Sequence, residues 1–250
     1  MDRLDTELVV RGLARSRAHA QKLIKNGCVS DSNTNLPLTK PSQKIEVNTP
    51  LTVTATEEDR YVSRGGLKLE GALQHTGIKV SGVTALDVGQ STGGFSDCLL
   101  QAGVNAIVGV DVGHDQLSQS IREDTRVTVY EGINARALPL TLRDTHSAAG
   151  FDLAVMDVSF ISQTLIYPSL APLLAPGGYL LSLVKPQFEV GREGIGKGGI
   201  VRDASLYKEV QAKIKAYCQA NQLQAKDYFD SPIKGGDGNR EFFVWAQKGR

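Results

Sequence analysis

The apolar positions of the chain change their period twice. Over the first 25 residues Leu4, Leu8, Leu13, Ala18, Leu23 and Ile24 recur at roughly helical spacing, broken once at Gly12. Ser16 stands where it can cap a second helix, whose exposed side then carries Arg17, Lys22 and Lys25. Beyond Gly27, Val29, Leu36, Leu38, Ile45, Val47, Leu51 and Val53 alternate with Pro, Asn, Thr and Ser, a texture of short strands and turns. Residues 55–62 are charged with little apolar pattern, and the spacing predicts a linker there. We divide the chain into 1–58, a linker at 59–63, and 64–250.

From residue 83 onward short apolar runs alternate with helical stretches. The runs are Val83–Val88, Ala106–Val110, Val127–Tyr130, Leu153–Met156 and Tyr179–Val184, then Ala225–Phe229 and Glu241–Ala246. Helical patterns occupy 95–102, 161–174 and 204–220. Seven strands in such alternation predict an α/β domain with a mostly parallel, Rossmann-like sheet, helices on both faces and an antiparallel closing pair. The shorter N-terminal segment is an α+β unit.

The composition is that of a globular protein, 41% hydrophobic and 22% charged, with a net charge of +1. Charge distribution says more than its sum. Residues 1–25 hold Arg3, Arg11, Arg15, Arg17, Lys22 and Lys25 against Asp2, Asp5 and Glu7. Cys28, Cys98 and Cys218 are odd in number and widely spaced, and the four histidines are scattered, so no metal site is expected. The acidic start and the lack of a long apolar stretch point to a cytoplasmic protein with no membrane partner.

Three features bear chemistry. The first strand enters a glycine loop, Asp87-Val88-Gly89-Gln90-Ser91-Thr92-Gly93-Gly94-Phe95, and a helix follows. Glycines admit a ligand close to the backbone, and the helix N-terminus offers unpaired N–H groups. Asp111 ends the second strand, where a carboxylate can accept from both hydroxyls of a bound ribose. Together they predict a nucleoside cofactor. The spacing is not that of dinucleotide dehydrogenases. A rival loop, Gly191 to Gly198, nearly spells a phosphate-binding loop, but Gly198 replaces the metal-binding hydroxyl and no helical pattern follows. It reads instead as a loop near the substrate. Finally, Lys68, Asp157, Lys185 and Glu241 fall on the first helix and at strand ends. Buried charges are costly unless paired, so a cluster is expected.

These motifs carry two resemblances. Arg3-Leu4-Asp5, Gly12, Ser16-Arg17, Ala20, Leu23-Ile24, Gly27 and Val29 resemble the S4 RNA-binding domain, departing from it at Ser30-Asp31-Ser32. The order Lys68, Asp157, Lys185, Glu241 resembles the tetrad of FtsJ-type ribose 2′-O-methyltransferases. The surrounding motifs, from Ser63 to Leu69, Asp157 to Ser162, Lys185 to Glu189 and Ser231 to Glu241, are closer still to the TlyA family, which joins the two domains and is often labelled haemolysin. Asn134 and Arg136 match a further motif of that family. Gln90 departs from it, since a small residue is usual after Gly89, with an expected effect around the methionine portion of the cofactor.

The resemblance implies S-adenosylmethionine-dependent 2′-O-methylation of a cytidine ribose in ribosomal RNA. Because the chain starts directly at the first motif, 23S RNA is expected ahead of 16S. It implies Lys68, Asp157, Lys185 and Glu241 as catalytic residues, with Asp157 and Glu241 both positioning Lys185. It implies Asp87, Gly89, Ser91, Gly93, Gly94, Phe95, Asp111, Asn134 and Asp157 around the cofactor. Arg3, Arg15, Ser16, Arg17, Lys22 and Lys25 would meet RNA. Two rivals are a membrane-active haemolysin and an RNA-binding protein with an inactive methyltransferase fold. The nucleotide, any need for an assembled ribosomal subunit and the oligomeric state stay open.

Overall fold

A computed structural model describes residues 1–54, 56 and 59–249. Ala55, Glu57 and Glu58 of the expected linker lie outside the described residues, as does Arg250. The chain divides into two units, Met1–Arg60 and Tyr61–Arg250.

In the first unit, strand β1 (Asp2–Arg3) leads into helix α1 (Leu4–Val10), and α2 spans Arg17–Lys25. Ser16 caps α2, its hydroxyl accepting from the His19 N–H at 3.2 Å. Leu4, Leu8, Ala20, Leu23 and Ile24 are buried between the helices and small strand pairs. Those pairs are β1 with β3 (Lys44–Ile45) and β2 (Val29–Asp31) with β4 (Leu51–Val53), both antiparallel. Leu36 and Val47, apolar in the pattern, are exposed.

The second unit opens with α3 (Gly65–Thr76) and then β5 (Thr84–Val88), α4 (Gly94–Gln101), β6 (Ala106–Val110), α5 (Gln119–Arg122) and β7 (Val127–Tyr130). Next come α6 (Thr141–His146), β8 (Phe151–Met156), α7 (Tyr167–Leu170), β9 (Leu174–Val184), α8 (Ala204–Ala220), β10 (Leu223–Asp230) and β11 (Phe242–Lys248). The sheet order is β10-β11-β9-β8-β5-β6-β7, parallel except at β11, which runs antiparallel to both β9 and β10. Its central strands are buried on both faces. Val88, Val110, Met156 and Val184 pack on one side, whereas Ala85, Ile107, Leu153 and Leu183 pack on the other. That two-sided burial is why these strands read as unbroken apolar runs.

Two elements differ from the sequence expectation. The helix predicted over 161–174 is instead a chain of short turns, Gln163–Leu165, α7 and Ala171–Leu173. Pro168 and Pro172 each remove an amide donor, so one continuous helix cannot run through them. Strand β9 begins five residues earlier than predicted, at Leu174, and passes through Pro176 and two glycines.

The register aligns the carboxyl ends of the parallel strands. Val88 lies opposite both Val110 and Met156, so Gly89, Asp111 and Asp157 emerge side by side. Phe242 lies opposite Val184, which brings the residue before β11 beside the residue after β9. Those residues are Glu241 and Lys185. Chain order reverses between β5 and β8, the crevice where open α/β sheets bind ligands.

Candidate active site

Lys68, on α3, is 8% exposed, and Glu241 is 3% exposed. The Lys68 ammonium donates to Glu241 Oε2 at 2.6 Å. The Lys185 ammonium lies 2.6 Å from Asp157 Oδ1, off the hydrogen-bond direction, and donates instead to Ser159 Oγ at 2.8 Å. The four charges thus form two ion pairs. Here the structure corrects an expectation: Glu241 pairs with Lys68, not with Lys185. Lys68 is buried on a helix and requires its own counter-charge. Lys68, Asp157 and Lys185 line a cleft of about 280 Å³ together with Gly89, Phe95 and Ser159. Glu241 stands behind Lys68.

The glycine loop closes the other wall. Gly89 has φ +81°, and a Cβ there would lie 2.5 Å from the carbonyl oxygen of Asp157, so no side chain fits between loop and β8. Gly93, with φ +94°, caps α4. Asp111 organises the loop itself, accepting from the Ser91 and Gly113 N–H groups, each at 2.7 Å. Each of its oxygens keeps a second lone pair for a ligand. Asp111, Val112, Ile133 and Asn134 line a second cavity of about 450 Å³, which shares Gly89, Ser91, Asp157 and Ser159 with the first. The Asn134 side-chain carbonyl accepts from the Arg136 N–H at 3.0 Å. A nucleoside with a short charged tail fits a pair of joined cavities of this size and lining.

Asp87 and Gln90 sit beneath that loop. Gln90 is buried, and its amide turns inward to donate to Ser96 Oγ at 2.8 Å. Ser96 in turn donates to Asp87 Oδ2 at 2.7 Å. The polar branch that departs from the family pattern is therefore absorbed by a buried chain of hydrogen bonds. Asp87 is fully buried with Oδ1 unpartnered, and it lines neither cavity. Burial pushes its carboxyl up to about 7, with the Ser96 hydrogen bond opposing and the charges of Asp157 and Asp111 adding. Between about pH 4 and 7 the folded state then holds a proton that the unfolded chain has lost, so stability falls as pH rises through that window. Asp87→Asn is expected to remove this slope. Denaturant melts at stepped pH should show the wild-type minus variant difference declining up to about pH 7 and then levelling. A pH-independent difference would contradict a protonated Asp87.

The N-terminal cations are partly engaged. Asp5, fully buried, accepts from Arg3, Arg17 and Gln21, which hold its carboxyl well below the usual range. Arg15 and His19 both meet Asp59. Burial alone would raise Asp59, but hydrogen bonds from Thr56 and His19 bring it down to about 2. Arg15, Arg17, Lys22 and Lys25 remain exposed.

Sequence reasoning missed Ser159, which receives the Lys185 hydrogen bond, and Glu189, whose partners lie on other segments. It also passed over Phe160, 91% exposed at the cavity wall with φ +63°. The first two stand inside the motifs Asp157 to Ser162 and Lys185 to Glu189, but nothing local distinguishes them from their neighbours there. Among the described residues there is no His, Cys, Asp and Glu group able to hold a metal ion, and no helix is long and apolar enough to cross a membrane.

Residues 61–248 match the FtsJ-like methyltransferase family. A candidate rRNA methyltransferase named YqxC from Bacillus subtilis is 46% identical, over 100% of this chain and 88% of its own length. The 16S/23S rRNA (cytidine-2′-O)-methyltransferase TlyA of Mycobacterium tuberculosis is 42% identical, over 98% of this chain and 89% of its own. A solved structure from Streptococcus thermophilus, described as a candidate hemolysin, is 40% identical with a TM-score of 0.75, covering 99% of this chain and 88% of that one. With its glycine loop, its two ion pairs and these relatives, the chain belongs to the FtsJ-like methyltransferase family, in the branch whose members are named TlyA.

Proposed function

We propose that the protein transfers a methyl group from S-adenosylmethionine to the 2′-hydroxyl of a cytidine ribose in ribosomal RNA, and so acts in the cytoplasm. The observation that carries this reading is the Lys185–Asp157 pair in an open cleft, with Asp157 on the wall that the cleft shares with a nucleoside-sized cavity. The named relatives supply the substrate class.

A ribose hydroxyl is a poor nucleophile at neutral pH. Lys185 orients its oxygen and stabilises the negative charge that develops there, held in place by Asp157 and Ser159. Asp157 also offers a carboxylate to the departing proton. Lys68, paired with Glu241, adds a second positive charge to the cleft, suited to a backbone phosphate. Asp111 and Asn134 hold the adenosine end of the cofactor, and Gly89, Ser91, Gly93, Gly94 and Phe95 shape its path. When bound, S-adenosylmethionine supplies a methyl already activated on a sulfonium. What the chain contributes is alignment for in-line attack.

Calorimetry is expected to show binding of S-adenosylmethionine and none of NAD or ATP, with Asp111→Ala weakening it in a protein that still folds. Heat from a nucleoside triphosphate alone would overturn the cofactor assignment.

The N-terminal unit is proposed to act as an S4-type RNA-binding domain through phosphate contacts from Arg3, Arg15, Arg17, Lys22 and Lys25 beside Ser16. Arg3 and Arg17 also hold Asp5, so the cleaner probe is Lys22→Ala with Lys25→Ala. RNA affinity should fall, and the salt dependence should lose roughly one unit of slope per lysine removed. Cofactor affinity should not change. Unaltered RNA affinity would count against this surface.

A further inference from the structure

One buried carboxylate has no part in the chemistry above. Glu189 lies four residues beyond Lys185, and its side chain is 2% exposed. Oε1 accepts from the Gln163 N–H at 2.9 Å. Oε2 accepts from the Ser162 hydroxyl at 2.6 Å and from the Lys213 ammonium, on α8, at 2.9 Å. The same ammonium donates to the Glu189 carbonyl at 3.0 Å.

The partners define what this carboxylate joins. Ser162 and Gln163 belong to the segment after β8, which begins at Asp157. Glu189 ends the turn after β9, which begins at Lys185. That turn is tight, with the Phe188 and Glu189 N–H groups donating to the Lys185 and Pro186 carbonyls, each at 2.9 Å, so Glu189 is in fixed register with Lys185. Across from it, the Gln163 side chain accepts from Ser182, on β9, at 2.6 Å and from Tyr167 at 2.7 Å. Both catalytic segments are therefore fastened to each other within a few residues of the reacting groups. Apolar side chains of similar volume would often pack as well as a buried ion pair. What the carboxylate adds is direction: one backbone N–H and one hydroxyl of the first segment are held by a single group of the second.

We infer that Glu189 is a positioning residue for methyl transfer, clamping the segment after β8 to the segment after β9 and thereby setting the distance between Asp157 and Lys185. This rests on the role given to Lys185 above. Glu189 lines neither cavity, so its loss should fall on turnover and not on cofactor binding. Small misplacements of reacting groups are expensive, on the order of 10²-fold for 1 Å.

Single-turnover transfer to ribosomal subunits by wild type, Glu189→Ala, Lys185→Ala and the double variant tests it. Glu189→Ala is expected to lower the rate by roughly 10- to 100-fold, with S-adenosylmethionine affinity unchanged. Added to Lys185→Ala, it should cost nothing further, because a residue acting through Lys185 has nothing left to position. Should the alanine variant not fold, Glu189→Gln keeps the volume and the Gln163 contact and is expected to lose rate without losing cofactor affinity. A Lys185→Ala protein that is crippled, beside a Glu189 variant that is fully active or whose loss multiplies with it, would overturn the clamp and leave the role of Lys185 standing. A Lys185→Ala protein with the wild-type rate would remove that role, and the clamp with it.

Discussion

Replacing Lys185 with alanine is expected to cut methyl transfer by roughly 10²–10⁴-fold while cofactor binding survives. The ammonium sits at the end of β9, 2.6 Å from Asp157 Oδ1, and donates to Ser159. The loop and Asp111, proposed to hold the cofactor, form no hydrogen bond or ion pair with Lys185 among the described residues. Lys185→Arg should fail nearly as badly, because a planar guanidinium does not reproduce a compact ammonium in a cleft of about 280 Å³. Asp157→Ala should also be severe, since it removes the counter-charge that positions the lysine. If Lys185 only ended a strand, the alanine variant would keep its turnover, or lose it solely by unfolding. Thermal melting run beside single-turnover rates separates these outcomes.

The second large effect is on stability. Lys68 and Glu241 are almost fully buried and bonded at 2.6 Å, so Glu241→Ala strands an ammonium in the interior. Breaking a buried pair in this way costs about 3–5 kcal/mol. For a unit of this size the loss lowers Tm on the order of 10 °C. Replacing both partners by methionine removes both charges at similar volume and should restore most of the melting temperature. Methyl transfer should stay low, because the cleft has lost its second positive charge. A Glu241→Ala protein that melts like wild type would show the pair to be well hydrated. An active double-methionine variant would assign both residues to folding alone.

The parts of the fold that the sequence displayed are those with one dominant physical cause. Parallel strands buried on both faces left unbroken apolar runs, and α8 left a helical period behind a capping Asp203. Where several causes compete, the pattern misleads. The apolar period over 161–174 continues across Pro168 and Pro172, which forbid the helix it suggests. Ala175 to Gly178 look like a turn and form a bulge within β9, since the ladder to β8 passes from the Phe151–Leu174 pair directly to Leu153–Tyr179. The site divides similarly. Charges at strand ends were visible as charges, whereas their pairing follows from which element lies beside which. Lys68 takes Glu241 because α3 covers that edge of the cleft. Asp5, counted in the sequence only against the local positive charge, is the hub that holds Arg3 and Arg17. Gln90, Ser159 and Glu189 act through partners on other segments or under a loop, and no spacing rule announces them.

The chemistry itself has a direct measurement. Ribosomal subunits from cells lacking this gene can be incubated with the purified protein and methyl-labelled S-adenosylmethionine, and the RNA digested to nucleosides and weighed by mass spectrometry. The expected product is 2′-O-methylcytidine from ribosomal RNA, absent when Lys185→Ala replaces the wild type. Label on a base, on ribosomal protein, or on no RNA nucleoside at all would contradict ribose 2′-O-methylation by this site.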